Sequence, residues 1–503
     1  MPSKVENGGE PFFAGRLSKP MSELLRQHNE APRLVWEQKN MSHILQVDLA
    51  HAVMLQEQGL ITKQQACDLV KALQGISKAG QFVTKDGYGS MVLQIEGHVA
   101  KQIGEDTAGR LAIARSRLDQ GATVWRLSAK AQMRVITEEL ARLQDTLLNV
   151  AARYSTTPSI NYTHLQQAQP ATFGHYLLAF RDRLQDSFDA LTQIYDRVDR
   201  CPLGGVGLSG TDFDINRHRT ASLLGFAKVL DNSRLCRDSY YQVELMSALA
   251  MVMTYLNDLC TDLHIYSSNE FSTIELDDSH TSTSSIFPQK KNPYALETIK
   301  AKAAEAMGWT TTAFAIFRNE GTGDTGARSV SQLDGARDTC IAMLRLTAEV
   351  VDGLSVNEER YESLLESAWV TTNRLSNILL SDFGMSYRSA HGVVARLVKN
   401  CLTKSIPKTA VTVDMLQAAA HEMDVEPIPI TQEGLTLALD HKAFIQNSRS
   451  FGGVGPDQVE RMESIAKAQN SANHQWVAGK KLKSVEAIRE LEAVCAQLQQ
   501  TSS

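Results

Sequence analysis

The stretch VELMSALAMVMTYLNDLCTDLHIY, residues 243–266, constrains the fold more than any other part of the chain. It is apolar around most of a helical circumference, so it predicts a helix covered on nearly all sides. At 1.5 Å per residue that rod spans about 36 Å. Two amphipathic rods precede it. In residues 124–154 apolar side chains recur three and four apart (Leu127, Val135, Ile136, Leu140, Leu143, Leu147, Val150). Residues 173–198 repeat the pattern through Leu177, Phe180, Leu184, Phe188, Leu191 and Ile194. Three such rods predict an elongated, all-α bundle. The all-round apolar one further predicts an oligomer in which other chains complete its cover.

The remaining chain bounds the function. A length of 503 residues is enough for several domains around a large core. The formal charge of -6 offers no basis for nucleic acid or an anionic membrane as partner. Seven cysteines are scattered without a CxxC or a Cys/His cluster, so neither a disulfide framework nor a metal site is expected. MPSKVENGGEPFF lacks the apolar core of a signal peptide, and no apolar run is read as membrane-spanning, so a cytoplasmic protein is expected. Strand signals are short, around QFVTKDGYGSMVLQI. Shorter helical stretches at 390–401, 413–423 and 485–498 mark a change of texture after residue 371. The expected division is therefore an N-terminal, mostly helical domain (1–119), a central long-helix domain (120–370) and a C-terminal helical domain (371–503).

Chemistry concentrates at the ends of the rods. GRLAIARSRLDQ places Arg115, Ser116 and Arg117 before the first rod, and INYTHLQQAQPATFGH places Thr163 and His164 before the second. After the third comes TSTSSIFPQKKNPYALE, five hydroxyl residues followed by apolar residues, a proline, two lysines and an asparagine. Ser and Thr bond their own backbone and favour turns. Pro288 suits a helix start, where its missing N–H is not needed. Arginine, hydroxyls, histidine, lysine and amide around one cavity suit proton abstraction beside a carboxylate, followed by loss of a leaving group. Two carboxylates on one substrate account for two positive anchors, Arg117 and Lys290.

Thr283-Ser284-Ser285-Ile286-Phe287-Pro288-Gln289-Lys290-Lys291-Asn292-Pro293 resembles the fumarase/aspartase superfamily signature, Gly-Ser-Ser-x-Met-Pro-x-Lys-x-Asn-Pro. GEDTAGRLAIARSRLDQ, YTHLQQAQP, CPLGGVGLSGT and SFGGVGPDQV are similar, in order, to segments of its argininosuccinate lyase branch. The resemblance implies a three-domain fold with a long central helical bundle. It implies a homotetramer whose sites each draw on three chains, and a β-elimination releasing fumarate without cofactor or metal. By position, Ser284 is the base, and Lys290 with Asn292 stabilises the aci-carboxylate. His164 is oriented by Glu297 and is the candidate acid for the leaving nitrogen. Arg115, Ser116, Arg117, Thr163, Gln169, Ser285 and Tyr294 complete the implied substrate-binding set.

The departures lie in the amine half. Leu118 stands where argininosuccinate lyases carry Asn, and Tyr294 replaces the Asp of KKNPD. Thr283 and Phe287 replace Gly and Met. RNEGTGDTGARSVSQLDGARD stands in place of the branch's distal Tyr…LQxDK segment. A site without partners for a guanidinium rejects it strongly. The expected activity is thus a carbon–nitrogen lyase acting on an N-succinyl amine or amino acid, with argininosuccinate lyase proper as the alternative. A non-catalytic, crystallin-like relative is the third reading. It predicts loss of Ser284, His164, Lys290 or Glu297, and all four are present.

Overall fold

Ser116 starts the first rod. Its backbone is extended, its hydroxyl accepts the Leu118 N–H at 3.1 Å, and Asp119 reaches back to the Ser116 N–H at 2.8 Å. This capping box satisfies donors that a helix N-terminus otherwise leaves bare. One helix then runs Arg117–Arg153, 37 residues or about 55 Å. The computed structural model describes residues 4–6, 19–85, 87–318 and 333–500. Of RNEGTGDTGARSVSQLDGARD, residues 318–338, positions 319–332 lie outside the described residues.

The second rod is Phe173–Val198, as its periodicity predicts, and the third is Tyr241–Tyr266. A fourth helix, Tyr294–Phe317, packs on the third, and a fifth, Asp334–Gly353, packs on the first, third and fourth. Leu140, Leu147, Leu177, Leu184, Leu249, Leu256, Leu296 and Leu344 fill the space between them. The first two rods are antiparallel. At one end the Gly174 N–H donates to Tyr154 O at 2.9 Å, an approach so close that a Cβ on Gly174 would collide with Ala151 O. At the other end Arg126 donates to Arg197 O at 2.8 Å.

The third rod is less covered within one chain than its composition predicts. Only 56% of its most apolar window is buried, and Met251 is 49% exposed. By length and composition this helix could cross a membrane, which corrects the reading that no apolar run is long enough. Its covered face instead packs on the second and fourth rods, as a core helix does. Met307 and Phe314 of the fourth rod are also exposed.

Sequence periodicity finds only the end of the last helix, which runs Pro456–Gln500 over 45 residues. Its buried positions include Asn470 and Asn473, so the apolar stripe is interrupted where the helix meets the bundle. These amides meet polar partners. Arg181, fully buried, donates to Asn470 at 2.6 Å and to Gln185 at 3.0 Å, and Asn473 donates to Gln144 and Gln185 at 2.9 Å each. Such a satisfied network fixes the register of the last helix against the first two rods. A separate core gathers Leu375, Leu379, Val393, Leu397, Leu416 and Leu435 from four helices, Thr372–Ser381, Tyr387–Thr403, Val413–His421 and Gln432–Leu439. The last helix does not join it.

Two local expectations change. QFVTKDGYGSMVLQI contains one short strand, Gln81–Val83, and its second half begins the helix Met91–Ile103. Conversely, an antiparallel hairpin, Pro158–Thr163 with Gln166–Thr172, stands where the sequence analysis marks no strand. Ile160 and Tyr162 favour its first strand, while the alanines and proline of its second carry little strand propensity.

Candidate active site

The hairpin that carries Thr163 and His164 ends in a two-residue turn. His164 and Leu165 have φ of 57° and 55°, between the paired residues Thr163 and Gln166. Positive φ at both central positions is the signature of a type I′ turn, which favours Asn and Gly. Neither residue is of that kind, so the tip holds backbone strain of roughly 1 kcal/mol or more at each position. Thr163, His164 and Gln169 are all exposed. Strain at an exposed tip presents the imidazole outward on a short, stiff arm.

The hydroxyl-rich stretch forms a second, smaller hairpin. Ser282 pairs with Asn292 and Thr283 with Lys291, so residues 284–290 form its loop. The Ser284 hydroxyl oxygen accepts two backbone N–H groups, Phe287 at 3.0 Å and Ile286 at 3.2 Å. Two aligned N–H dipoles on one oxygen are the arrangement that stabilises developing negative charge there. Lys291 is held 3.0 Å from Glu275 and 2.7 Å from Asp278 at the hairpin stem. Lys290 is exposed and has no ion pair among the described residues. Ser285 is exposed and Asn292 half-buried. The following helix starts at Tyr294 after Pro293, not at Pro288, which turns within the loop. Tyr294 and Glu297 both project from its first turn and are exposed.

In the third segment the structure separates two arginines. Arg117, the first residue of the first rod, is exposed and without an ion pair among the described residues. Arg115 is buried, 2.5 Å from Asp48 and 3.2 Å from Glu96. Its guanidinium, expected to bind substrate, is held within the chain by two carboxylates. Asp48 also accepts from Gln120 at 2.7 Å, so one buried carboxylate ties both flanks of the Ser116–Arg117 pair. His51 meets the Ile113 carbonyl at 2.8 Å, and burial beside Arg115 pushes its pKa down to about 3. It is therefore a neutral imidazole at physiological pH. Ser116 donates to Val206 O at 3.1 Å, while Asp119 accepts the Gly204 and Val206 N–H groups at 2.9 and 2.8 Å. The Gly-rich loop after the second rod is thereby fixed to the start of the first. Sequence reasoning missed Asp48, Asp119 and His51, although Asp119 is legible as the N3 member of a capping box.

The three segments do not share one end of the bundle. Tyr162 of the large hairpin lies 6.2 Å from Tyr266 at the end of the third rod, and 5.4 Å from Phe271 beyond it, between ring centroids. His164 and the Ser284 loop thus belong to the same end. Arg117 begins the first rod at the opposite end, about 55 Å away by helix length. Among the described residues no hydrogen bond or ion pair joins the three segments, and His164 is not bonded to Glu297 within the chain.

The lyase family profile matches residues 15–308, and the argininosuccinate lyase C-terminal profile matches residues 371–446. An argininosuccinate lyase from Methanococcus maripaludis is 32% identical across 85% of this chain and 88% of its own. That of Methanocaldococcus jannaschii is 29% identical across 95% and 98%. Among solved structures, a variant of EDDS lyase with bound fumarate superposes with a TM-score of 0.86 at 27% identity, over 97% of this chain and 98% of that one. A class II fumarase from Schistosoma mansoni shares the fold alone, with a TM-score of 0.66 at 16% identity over 85% of this chain and 94% of its own. By sequence and by fold, this chain belongs to the argininosuccinate lyase branch of the fumarase/aspartase superfamily and is a carbon–nitrogen lyase.

Proposed function

We propose that the protein catalyses the reversible β-elimination of an amine from an N-succinyl amine or amino acid, with fumarate as the second product. The observation that carries this reading is the Ser284 hydroxyl receiving two backbone N–H groups in an exposed loop beside unpaired Lys290. A serine hydroxyl ionises too weakly at neutral pH to take a carbon proton unless its alkoxide is held by donors. The two N–H dipoles supply that hold.

In the proposed sequence Ser284 removes the proton from the carbon next to a succinyl carboxylate. Lys290 and Asn292 stabilise the resulting aci-carboxylate. The C–N bond then breaks, its electron pair leaves with nitrogen, and His164, oriented by Glu297, donates a proton to that nitrogen. Ser116, Arg117, Thr163, Gln169, Ser285 and Tyr294 line the substrate. Arg115 acts behind them, as a support for Arg117. Neither metal nor cofactor has a role in this scheme.

The separation of Arg117 from the other two segments supports an oligomeric site. We take the assembly to be a homotetramer in which antiparallel copies bring Arg117 of one chain to the His164 and Ser284 segments of others. The incompletely covered third rod and the exposed Met251, Met307 and Phe314 fit that assembly. The same reading divides the chain into residues 1–119, 120–370 and 371–503, with the last helix docked back on the bundle. It assigns a cytoplasmic location, in keeping with seven cysteines that are all free and buried.

A second reading, argininosuccinate lyase proper, is favoured by relatives of that name at about 30% identity. Purified protein offered argininosuccinate and a panel of N-succinyl amino acids, followed by fumarate absorbance, decides between them. Release from panel members but not from argininosuccinate supports the first reading, and rapid release from argininosuccinate supports the second.

A further inference from the structure

The His164 turn needs a brace. It is strained at His164 and Leu165, and a two-stranded hairpin is at best marginally stable by itself. Between residues 162 and 169 only Tyr162 and Ala168 are half-buried, while the other six are exposed within the chain. Ala168 is the extra residue of a bulge: Asn161 pairs with Gln169 and Tyr162 with Gln167, which leaves Ala168 without a residue opposite. A bulge bends the strand beyond it, so the tip that carries His164 is turned there but not anchored.

Tyr162 supplies the anchor. Ile160, two residues before it on the same strand face, clusters with Leu365, Ala368 and Val370, and Tyr162 packs against that cluster. Its ring also lies 5.4 Å from Phe271, with 59° between planes, and 6.2 Å from Tyr266, and those two rings are 6.3 Å apart. Tilted rings at these separations attract one another. Phe271 is fixed in turn. Its carbonyl accepts Arg360 Nε at 3.0 Å, and the Glu270 carbonyl accepts Arg360 Nη2 at 3.1 Å. The Tyr162 hydroxyl meets the Gln167 side chain across the hairpin. One side chain, two residues before His164, thus ties both strands to the end of the third rod.

Resting on the function proposed above, we infer that Tyr162 is a positioning residue: through its ring contacts with Tyr266 and Phe271 it aims the His164 turn, and so the imidazole, at the leaving nitrogen. It acts through His164 and not on the substrate. Loss of the ring leaves the strained turn free to shift, and a shift of about 1 Å at a reacting group costs on the order of 10²-fold in rate.

Fumarate release by the full chain tests this, with argininosuccinate or the N-succinyl amino acid that wild type cleaves fastest. Tyr162→Phe keeps the ring and is expected to hold kcat within about threefold. Tyr162→Ala and Tyr162→Leu are expected to lower kcat by about 10–100-fold while KM changes less than about threefold. The leucine variant keeps apolar volume, so it carries the test where the alanine variant does not fold. In a His164→Ala background, Tyr162→Leu is expected to cost less than about twofold, because the imidazole it acts through is already gone. A merely structural role would lower both backgrounds alike. Equal losses in the two backgrounds, or undiminished kcat in Tyr162→Leu and Tyr162→Ala, overturn the positioning role and leave the lyase reaction standing. Undiminished kcat in His164→Ala overturns it together with the acid assigned to that residue. No fumarate from any of these substrates with wild type overturns the proposed reaction and this inference with it.

Discussion

Lys291 lies 2.7 Å from the Asp278 carboxylate, while Lys290 beside it has no ion-pair partner among the described residues. In the proposed reaction, adjacent lysines of KKNP therefore have different work. Lys290→Met is expected to lower kcat by about 10²–10³-fold, the usual effect of losing one preorganised donor to developing charge. Lys291→Met removes exposed ion pairs at the hairpin stem, worth under about 1 kcal/mol and screened by salt. It is expected to cost less than about tenfold in kcat. Steady-state kinetics on both variants checks this; equal losses would remove the distinction.

Arg117 and Ser284 lie at opposite ends of one chain, so in the proposed assembly they serve a given site from different copies. Ser284→Ala and Arg117→Ala proteins, each inactive alone, are then expected to regain activity when unfolded together and refolded as a mixture. Some hybrid assemblies will contain sites free of both substitutions. Activity no greater than the sum of the separate variants would count against a shared site.

His51 links stability to pH. Its pKa is about 3 in the folded chain, against 6.5 for an unperturbed histidine, because burial beside Arg115 disfavours the imidazolium. The unfolded chain therefore binds a proton between those values that the folded chain does not. The stabilisation is present above pH 6.5 and is lost as pH falls toward 3. Between pH 6.5 and 5 the loss is about 2 kcal/mol. Urea denaturation of wild type and His51→Gln across that interval should show a steeper acid loss in wild type. Parallel curves would contradict the assignment.

Asp48 holds Arg115 on one flank of Arg117 and Gln120 on the other. Asp48→Ala leaves a buried guanidinium with Glu96 alone, a change expected to cost about 3–5 kcal/mol. Asp48→Asn keeps the shape and is expected to raise KM for the succinyl substrate more than it lowers kcat, because Arg117 loses its placement and not its charge. Thermal melts and the KM-against-kcat split test the two halves of this expectation.

The long rods were legible because each buries a continuous stripe, and residues 173–198 matched to the residue. The last helix was not, because Asn470 and Asn473 occupy positions where periodicity looks for apolar side chains. The His164 hairpin was hidden for another reason. Its second strand, Gln166–Thr172, holds no aromatic residue and Thr172 as its one β-branched residue, and its turn uses His and Leu where a sequence reader looks for Asn-Gly. Single residues in the site divided similarly. Ser284, Lys290 and His164 were marked by their motifs, whereas the difference between Arg115 and Arg117 depends on Asp48, 67 residues upstream of Arg115. Spacing along the chain carries no trace of that pairing.

The most direct test of the account is fumarate absorbance on mixing the purified protein with N-succinyl amino acids, in wild type and in Ser284→Ala. Among the described residues the Ser284 hydroxyl bonds only N–H groups of its own loop, so the substitution should leave the circular dichroism and the oligomer unchanged. The account predicts fumarate release by wild type and a loss of about 10³-fold or more in the variant. Undiminished release by Ser284→Ala would contradict it.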